Sequence, residues 1–201
     1  MTCSAVERRA ALALAIALVA GWAGDAGAAQ RRDRDPAIEL TNPRLGPDYS
    51  QWLVGPIARL ATAAETDDYL ALTDDAAAAA FIEEFWARRN PAPDRPGNPL
   101  REAFEQRAAE ADKQFSEAGY RGRRTARGTT YVLFGPPSEV DHDIAPDPKD
   151  PPIEVWKYKG GATTGLSGER PARLYRFIKR GDLTVFYFPT NRIGGTRIED
   201  F

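Results

Sequence analysis

The feature that most constrains this chain is a change of hydrophobic period near Thr129. Downstream, apolar residues gather in four short runs, "TTYVLF", "IEVWKY", "RLYRFI" and "LTVFYF". Each run is rich in β-branched and aromatic residues and bounded by Gly, Pro or Asp, which is the pattern of strands. The last two are joined by "KRGD", a tight hairpin connection, whereas "DHDIAPDPKDPP" forms a long acidic, proline-rich loop between the first two. Upstream, apolar residues recur three and four apart, as on one face of a helix. Helices first and strands afterwards predict an α+β fold. The helical N-terminal half should pack on one face of a four-stranded, mainly antiparallel sheet.

Three helices are expected. Gly55-Pro56 breaks the chain, so Pro56 is an early position of a helix reaching about Ala64. Asp74 or Thr73 caps a second helix ending near Asn90, with Phe81, Ile82, Phe85 and Trp86 on one wide apolar face. Asn98 and Pro99 start a third, lined by Leu100, Phe104, Ala108, Ala111 and Phe115 and stopped at Gly119.

The N-terminus reads as an export signal. Arg8 and Arg9 precede the apolar stretch Ala10–Gly24, and small residues at Ala26–Ala29 suit signal-peptide cleavage. The domain reading is therefore a signal peptide over 1–29, a flexible lead-in over 30–47 and one domain over 48–201. Cleavage would remove Cys3, the only cysteine, leaving neither a disulfide nor a thiol ligand. No later apolar run is long enough to cross a bilayer, so the mature form is expected to lack a membrane span. Periplasmic or secreted localisation follows.

With 201 residues, 42% of them hydrophobic, the chain can bury a proper core. Its formal net charge of −2 argues against nucleic acid as the partner. The stretch "GYRGRRTARG" nevertheless concentrates Arg121, Arg123, Arg124 and Arg127 ahead of Gly128. It lacks the lysine and Ser/Thr of a phosphate loop, and no cofactor is expected. These arginines either pair with nearby carboxylates or meet an anionic partner. Gly135, Pro136 and Pro137 form a rigid turn beside them. Trp156 and Tyr158 share one face of a strand, as core or, if uncovered, as a binding platform. Asp141, His142 and Asp143 are the one cluster suggesting chemistry, although alternation would point the two aspartates away from the histidine.

The order of these features resembles the bacterial GWxTD domain family. Phe85-Trp86 with Arg89 and Pro91 is similar to the family's first block. Arg107, Ala111 and Phe115 match the helix that follows. Arg127-Gly128, Tyr131, Gly135 and Pro137 match the next segment, and Trp156 with Tyr158 matches a W-x-Y strand. The likeness spans roughly Asp74 to Phe188. In the name motif Gly122 and Thr125 fit, whereas Arg123 stands at the tryptophan position and Ala126 at the aspartate position. The resemblance implies an exported protein and supplies no catalytic residue. A fainter likeness, to small α+β lipoproteins of the outer-membrane barrel-assembly machinery, concerns architecture only. The expected function is a non-catalytic interaction module of the bacterial cell envelope, with an envelope protein or anionic envelope polymer as partner. The alternative is a hydrolase or metal-dependent enzyme using Asp141, His142 and Asp143.

Overall fold

Among the described residues, four capped helices precede the sheet. The computed structural model describes residues 40–160 and 164–189, with the backbone of 191–193 and 196–198. All of these belong to one compact unit, Pro36–Phe201. The segment read as an export signal lies outside the described residues. Of the lead-in, the described part is packed: Leu45 is in the core, and buried Asn42 donates to the carbonyls of Tyr69 and Leu72. The folded unit therefore begins before Asp48.

Helix α1, Ala63–Ala71, starts at a capping box in which the Thr62 side chain and Glu65 satisfy each other's backbone N–H. The helix expected from Pro56 is only a 3-10 turn, Pro56–Arg59. The capping box starts the α-helix at Ala63, seven residues beyond Pro56. Asp74 caps α2, Asp75–Arg88, and Asn98 with Pro99 opens α3, Pro99–Gln114, both as read.

"TTYVLF" is a helix and not a strand. It belongs to α4, Ala126–Phe134, capped by the Thr125 side chain and terminated by Gly135 at φ 79°. Five of its nine residues are buried, because it lies between α3 and the sheet. A segment buried on several sides shows no alternation, so its β-branched composition decided nothing. The first strand lies instead in the stretch read as a loop: β1 is Glu139–Asp143. It is followed by β2, Ile153–Lys157, β3, Leu174–Arg180, and β4, Leu183–Phe186. These pair antiparallel in the order β1-β2-β3-β4, and β5, Asn191–Ile193, with β6, Thr196–Ile198, makes a separate hairpin. The fold is α+β, with helices in the N-terminal half and the sheet in the C-terminal half. The β3–β4 hairpin turns at Gly181, whose φ of 60° suits a two-residue connection.

The main core joins both halves. Trp52, Tyr69, Phe81, Phe85, Trp86 and Phe104 form one chain of tilted and edge-to-face rings in the helical half. Phe115 then bridges Tyr131 of α4 and Trp156 of β2, with ring centroids 5.6 and 5.4 Å away. A smaller cluster, Ala145, Ile153, Val155 and Ile178, occupies the opposite face of the sheet.

Candidate functional site

The arginine stretch forms a 3-10 turn, Gly122–Arg124, wedged between α3 and α4. Two glycines make that wedge possible. A Cβ at Gly122 would lie 2.6 Å from the carbonyl carbon of Ala111, and one at Gly128 would lie 2.5 Å from that of Gly122. Thr125 joins the pieces: its hydroxyl donates to the Gly122 carbonyl (2.8 Å) and accepts from Gly128 N–H (3.1 Å). The Gly122 N–H donates to Ser116 Oγ at 2.9 Å. The backbone of this turn is fixed by packing.

Its four arginines divide into two pairs. Arg123 is held by Asp112 of α3: its backbone N–H donates to Oδ1 (2.8 Å), and its Nη2 lies 2.8 Å from Oδ2. Burial opposes ionisation of Asp112, yet the Arg123 bonds hold its carboxyl below the ordinary aspartate range. Arg127, on α4, sits between Glu117 and Glu154, with both Nη–Oε distances 3.1 Å, and over the ring of Phe115. Glu117 also accepts from the backbone N–H and hydroxyl of Thr184, which ties α4 to β4. Arg123 and Arg127 are thus structural.

Arg121 and Arg124 remain. Arg121 is the extended N-cap of the turn and Arg124 its last residue. Among the described residues neither forms an ion pair; Arg124 donates to the Gln51 side chain and carbonyl. Partial burial, then the neighbouring Arg121 and Arg123 charges, pull the Arg124 guanidinium below the usual arginine range.

Both border a cleft of about 240 Å³ between the turn, residues 48–57, α2 and α3. Trp52, Ile57, Ile82, Trp86 and Phe104 give it an apolar lining. Asp48, Arg101 and Glu105 complete the rim, with Arg101 held by Glu83 and Glu105 at 2.8 Å each. The cleft therefore offers an apolar interior beside two cations that form no ion pair among the described residues; Asp112, whose charge reaches both, is bound to Arg123. Sequence reasoning found Arg121, Arg123 and Arg124 but not Gln51, Trp52, Trp86 and Arg101. Their spacing signalled only core or helix surface; they meet the turn through tertiary packing.

The other sequence candidates lie elsewhere. Trp156 and Tyr158 are buried under the helical layer and form no platform; the Tyr158 hydroxyl donates to the Gly135 carbonyl at 2.8 Å. Gly128 is buried as well. Gly135, Pro136 and Pro137 follow the far end of α4, roughly 13 Å along its axis from the arginine turn. They do not border the cleft. Nor do Asp141, His142 and Asp143 converge. All three are exposed on β1; Asp141 pairs with Lys157 (3.0 Å) and Asp143 with Arg176 (3.6 Å). The Lys157 bond holds the Asp141 carboxyl below its usual range. Among the described residues no group of three or more His, Cys, Asp and Glu side chains is placed to hold a metal ion.

Of the residues that carried the family resemblance, those from Arg107 to Trp156 meet around one junction, whereas Phe85, Trp86 and Arg89 lie in the helical half with Glu65. Arg107 donates to the carbonyls of Val132 and Leu133 at the end of α4, and Ala111 backs Gly122. Phe115 touches Tyr131 and Trp156 and lies beneath Arg127. Fold and site together define a two-layer α+β protein with an arginine-rimmed cleft in its helical half. No family model, no curated protein and no solved structure matches this chain.

Proposed function

We propose that this protein is a non-catalytic interaction module exported to the bacterial cell envelope, where it binds an anionic partner through the Arg121–Arg124 face. One observation carries this reading: the Arg121 and Arg124 guanidiniums both border a largely apolar cleft, and among the described residues neither forms an ion pair. Arg124 is half-buried beside the exposed Arg121, and the repulsion between these like charges would be relieved by a bound anion, which favours a ligand. The export-signal pattern at the N-terminus supports envelope location. The likeness to the GWxTD family supports the same compartment and points to no chemistry.

The test uses Arg121→Glu with Arg124→Glu, which spares the structural Arg123 and Arg127. The purified chain should retain a partner from a bacterial envelope fraction, and the double variant should lose it while keeping its melting temperature. Equal capture by both proteins would remove this face from the reading. Fractionation of producing cells checks location: the chain should leave with the periplasmic or secreted fraction, shortened at about residue 29. Cytoplasmic retention at full length would defeat the envelope assignment.

A further inference from the structure

Resting on that reading, we infer that the cleft takes a single anchor from a protein partner: an apolar side chain next to a carboxylate, the carboxylate held by Arg121 and Arg124. Size argues first. Whole small-molecule sites span about 300–1,000 Å³, and a cleft of about 240 Å³ falls short of that range. It exceeds the cavity of about 150 Å³ that accommodates a benzene ring, so one aromatic side chain fits. Protein interfaces use pockets of this kind for one aromatic or aliphatic anchor.

Lining argues second. Trp52, Trp86 and Phe104 line it with ring surface and Ile57 and Ile82 with branched aliphatic surface, Trp86 being buried at 4% exposure. Burying an apolar side chain there is favourable, whereas a bare inorganic anion would leave those walls wet. Charge argues third. Arg101 and Arg123 are already engaged by Glu83, Glu105 and Asp112. Arg121 is exposed at the mouth and Arg124 is held half-buried by Gln51, so the two offer donors at the rim and not at the bottom. A ligand must therefore carry its negative charge at the mouth and its apolar group inside. An acidic residue two positions before an aromatic one in an extended peptide places the groups in this way, since side chains i and i+2 lie on the same face about 7 Å apart. Asp48 and Glu105 on the same rim disfavour a densely anionic surface, which makes a phosphate-covered membrane the weaker match.

The probe is a five-residue peptide blocked at both ends, acetyl-Gly-Asp-Gly-Phe-Gly-amide, whose only charge is one side-chain carboxylate. The readout is the indole N–H resonance of each tryptophan in the nitrogen-15-labelled chain, assigned with Trp→Phe variants. The Trp52 and Trp86 resonances should shift saturably, and that of buried Trp156 should not. Replacing the peptide's Asp by Asn, or its Phe by Ser, should weaken binding at least about tenfold, as should Arg121→Ala with Arg124→Ala. Rescue by Lys at both positions should be incomplete, because a paired guanidinium fork is lost. Equal binding of the Asn peptide would overturn the carboxylate assignment. No shift at millimolar peptide, with envelope capture still dependent on the two arginines, would defeat this inference and leave the interaction module standing. Peptide binding without any envelope capture would do the reverse. Shifts with phosphatidylglycerol vesicles but not with peptide would make the ligand a lipid surface and refute the protein anchor.

Discussion

Replacing Gly128 by alanine sets two rules against each other. Gly128 is the third residue of α4, and Gly→Ala inside a helix ordinarily stabilises by about 1 kcal/mol. Here the new Cβ would meet the Gly122 carbonyl carbon at 2.5 Å, against an ordinary carbon–carbon separation of about 3.5–4.0 Å. Backbone, not a flexible side chain, must therefore move by about 1 Å. The turn it must move is pinned by the Thr125 hydroxyl and N–H, both of which donate to that same carbonyl. Overpacking costs about 1–3 kcal/mol, and each of the two weakened hydrogen bonds about 1 kcal/mol. After the helix-propensity gain, the net loss is about 2–4 kcal/mol. For a domain of this size that lowers the melting temperature by roughly 5–15 °C, readable by differential scanning calorimetry. Gly160→Ala is the control, because its Cβ meets nothing within 4 Å and its φ is not positive; it should be neutral or slightly stabilising. A Gly128→Ala protein as stable as wild type would show that the wedge of α4 on the turn is not tight, and the fixed presentation of Arg121 and Arg124 would go with it.

Two further outcomes concern the ion networks. Glu65, bound by Arg89 and capping α1, has its carboxyl pulled from 4.5 down to about 2, the Arg89 bond outweighing burial. A depressed carboxylate stabilises the fold above its unfolded value, and that contribution disappears as pH falls from about 4.5 through about 2. The displacement corresponds to about 3 kcal/mol, which partial solvent screening reduces to about 1–2 kcal/mol; Glu65→Gln should lose this at pH 7 and flatten the acid limb in urea titrations. An unchanged acid limb would mean the pair contributes nothing. Arg127→Met keeps the apolar contact with Phe115 but strands Glu117 and Glu154, whose side chains are 13% and 22% exposed. Stranding fully buried partners costs about 3–5 kcal/mol, so about 2–3 kcal/mol is expected here, largely restored by adding Glu117→Gln and Glu154→Gln. No recovery in that triple variant would place the cost in packing and not in charge.

What the sequence disclosed depended on whether a local signal had a competitor. Asp74, Asn98 and Pro99 are capping residues with a single reading, and both helices begin there. The stretch Thr129–Phe134 had two readings. Its β-branched residues favoured a strand, while Thr125 and Gly135, a cap and a stop nine residues of helix apart, favoured the helix that forms. Conversely, Glu139–Asp143 carries one apolar residue and three acids, so nothing in its pattern marks a strand. Pairing with β2 and ion pairs to Lys157 and Arg176 make it one. Edge strands are often charged, because charge discourages further pairing. The cleft was legible only in part, since its cations are contiguous in sequence and its apolar wall comes from three separate elements.

Within the turn itself, spacing separates what folds from what binds. Gly122, Thr125 and Gly128 recur every third residue and face α3 and α4, where backbone approach leaves no room for larger groups. Arg121 and Arg124 recur at the same interval one step out of phase, on the face that borders the cleft. Two interleaved three-residue repeats thus run from the turn into the start of α4, one set on the packed junction and the other on the cleft. Substitution at 121 or 124 changes the rim without touching the wedge, whereas substitution at 122, 125 or 128 moves the rim by moving its backbone. Such an arrangement lets ligand preference change without loss of the fold. Saturation mutagenesis should find it directly: positions 121 and 124 tolerate most residues for stability and few for partner capture, and positions 122 and 128 tolerate none for either. Comparable stability tolerance at all four would show that the turn is not built this way.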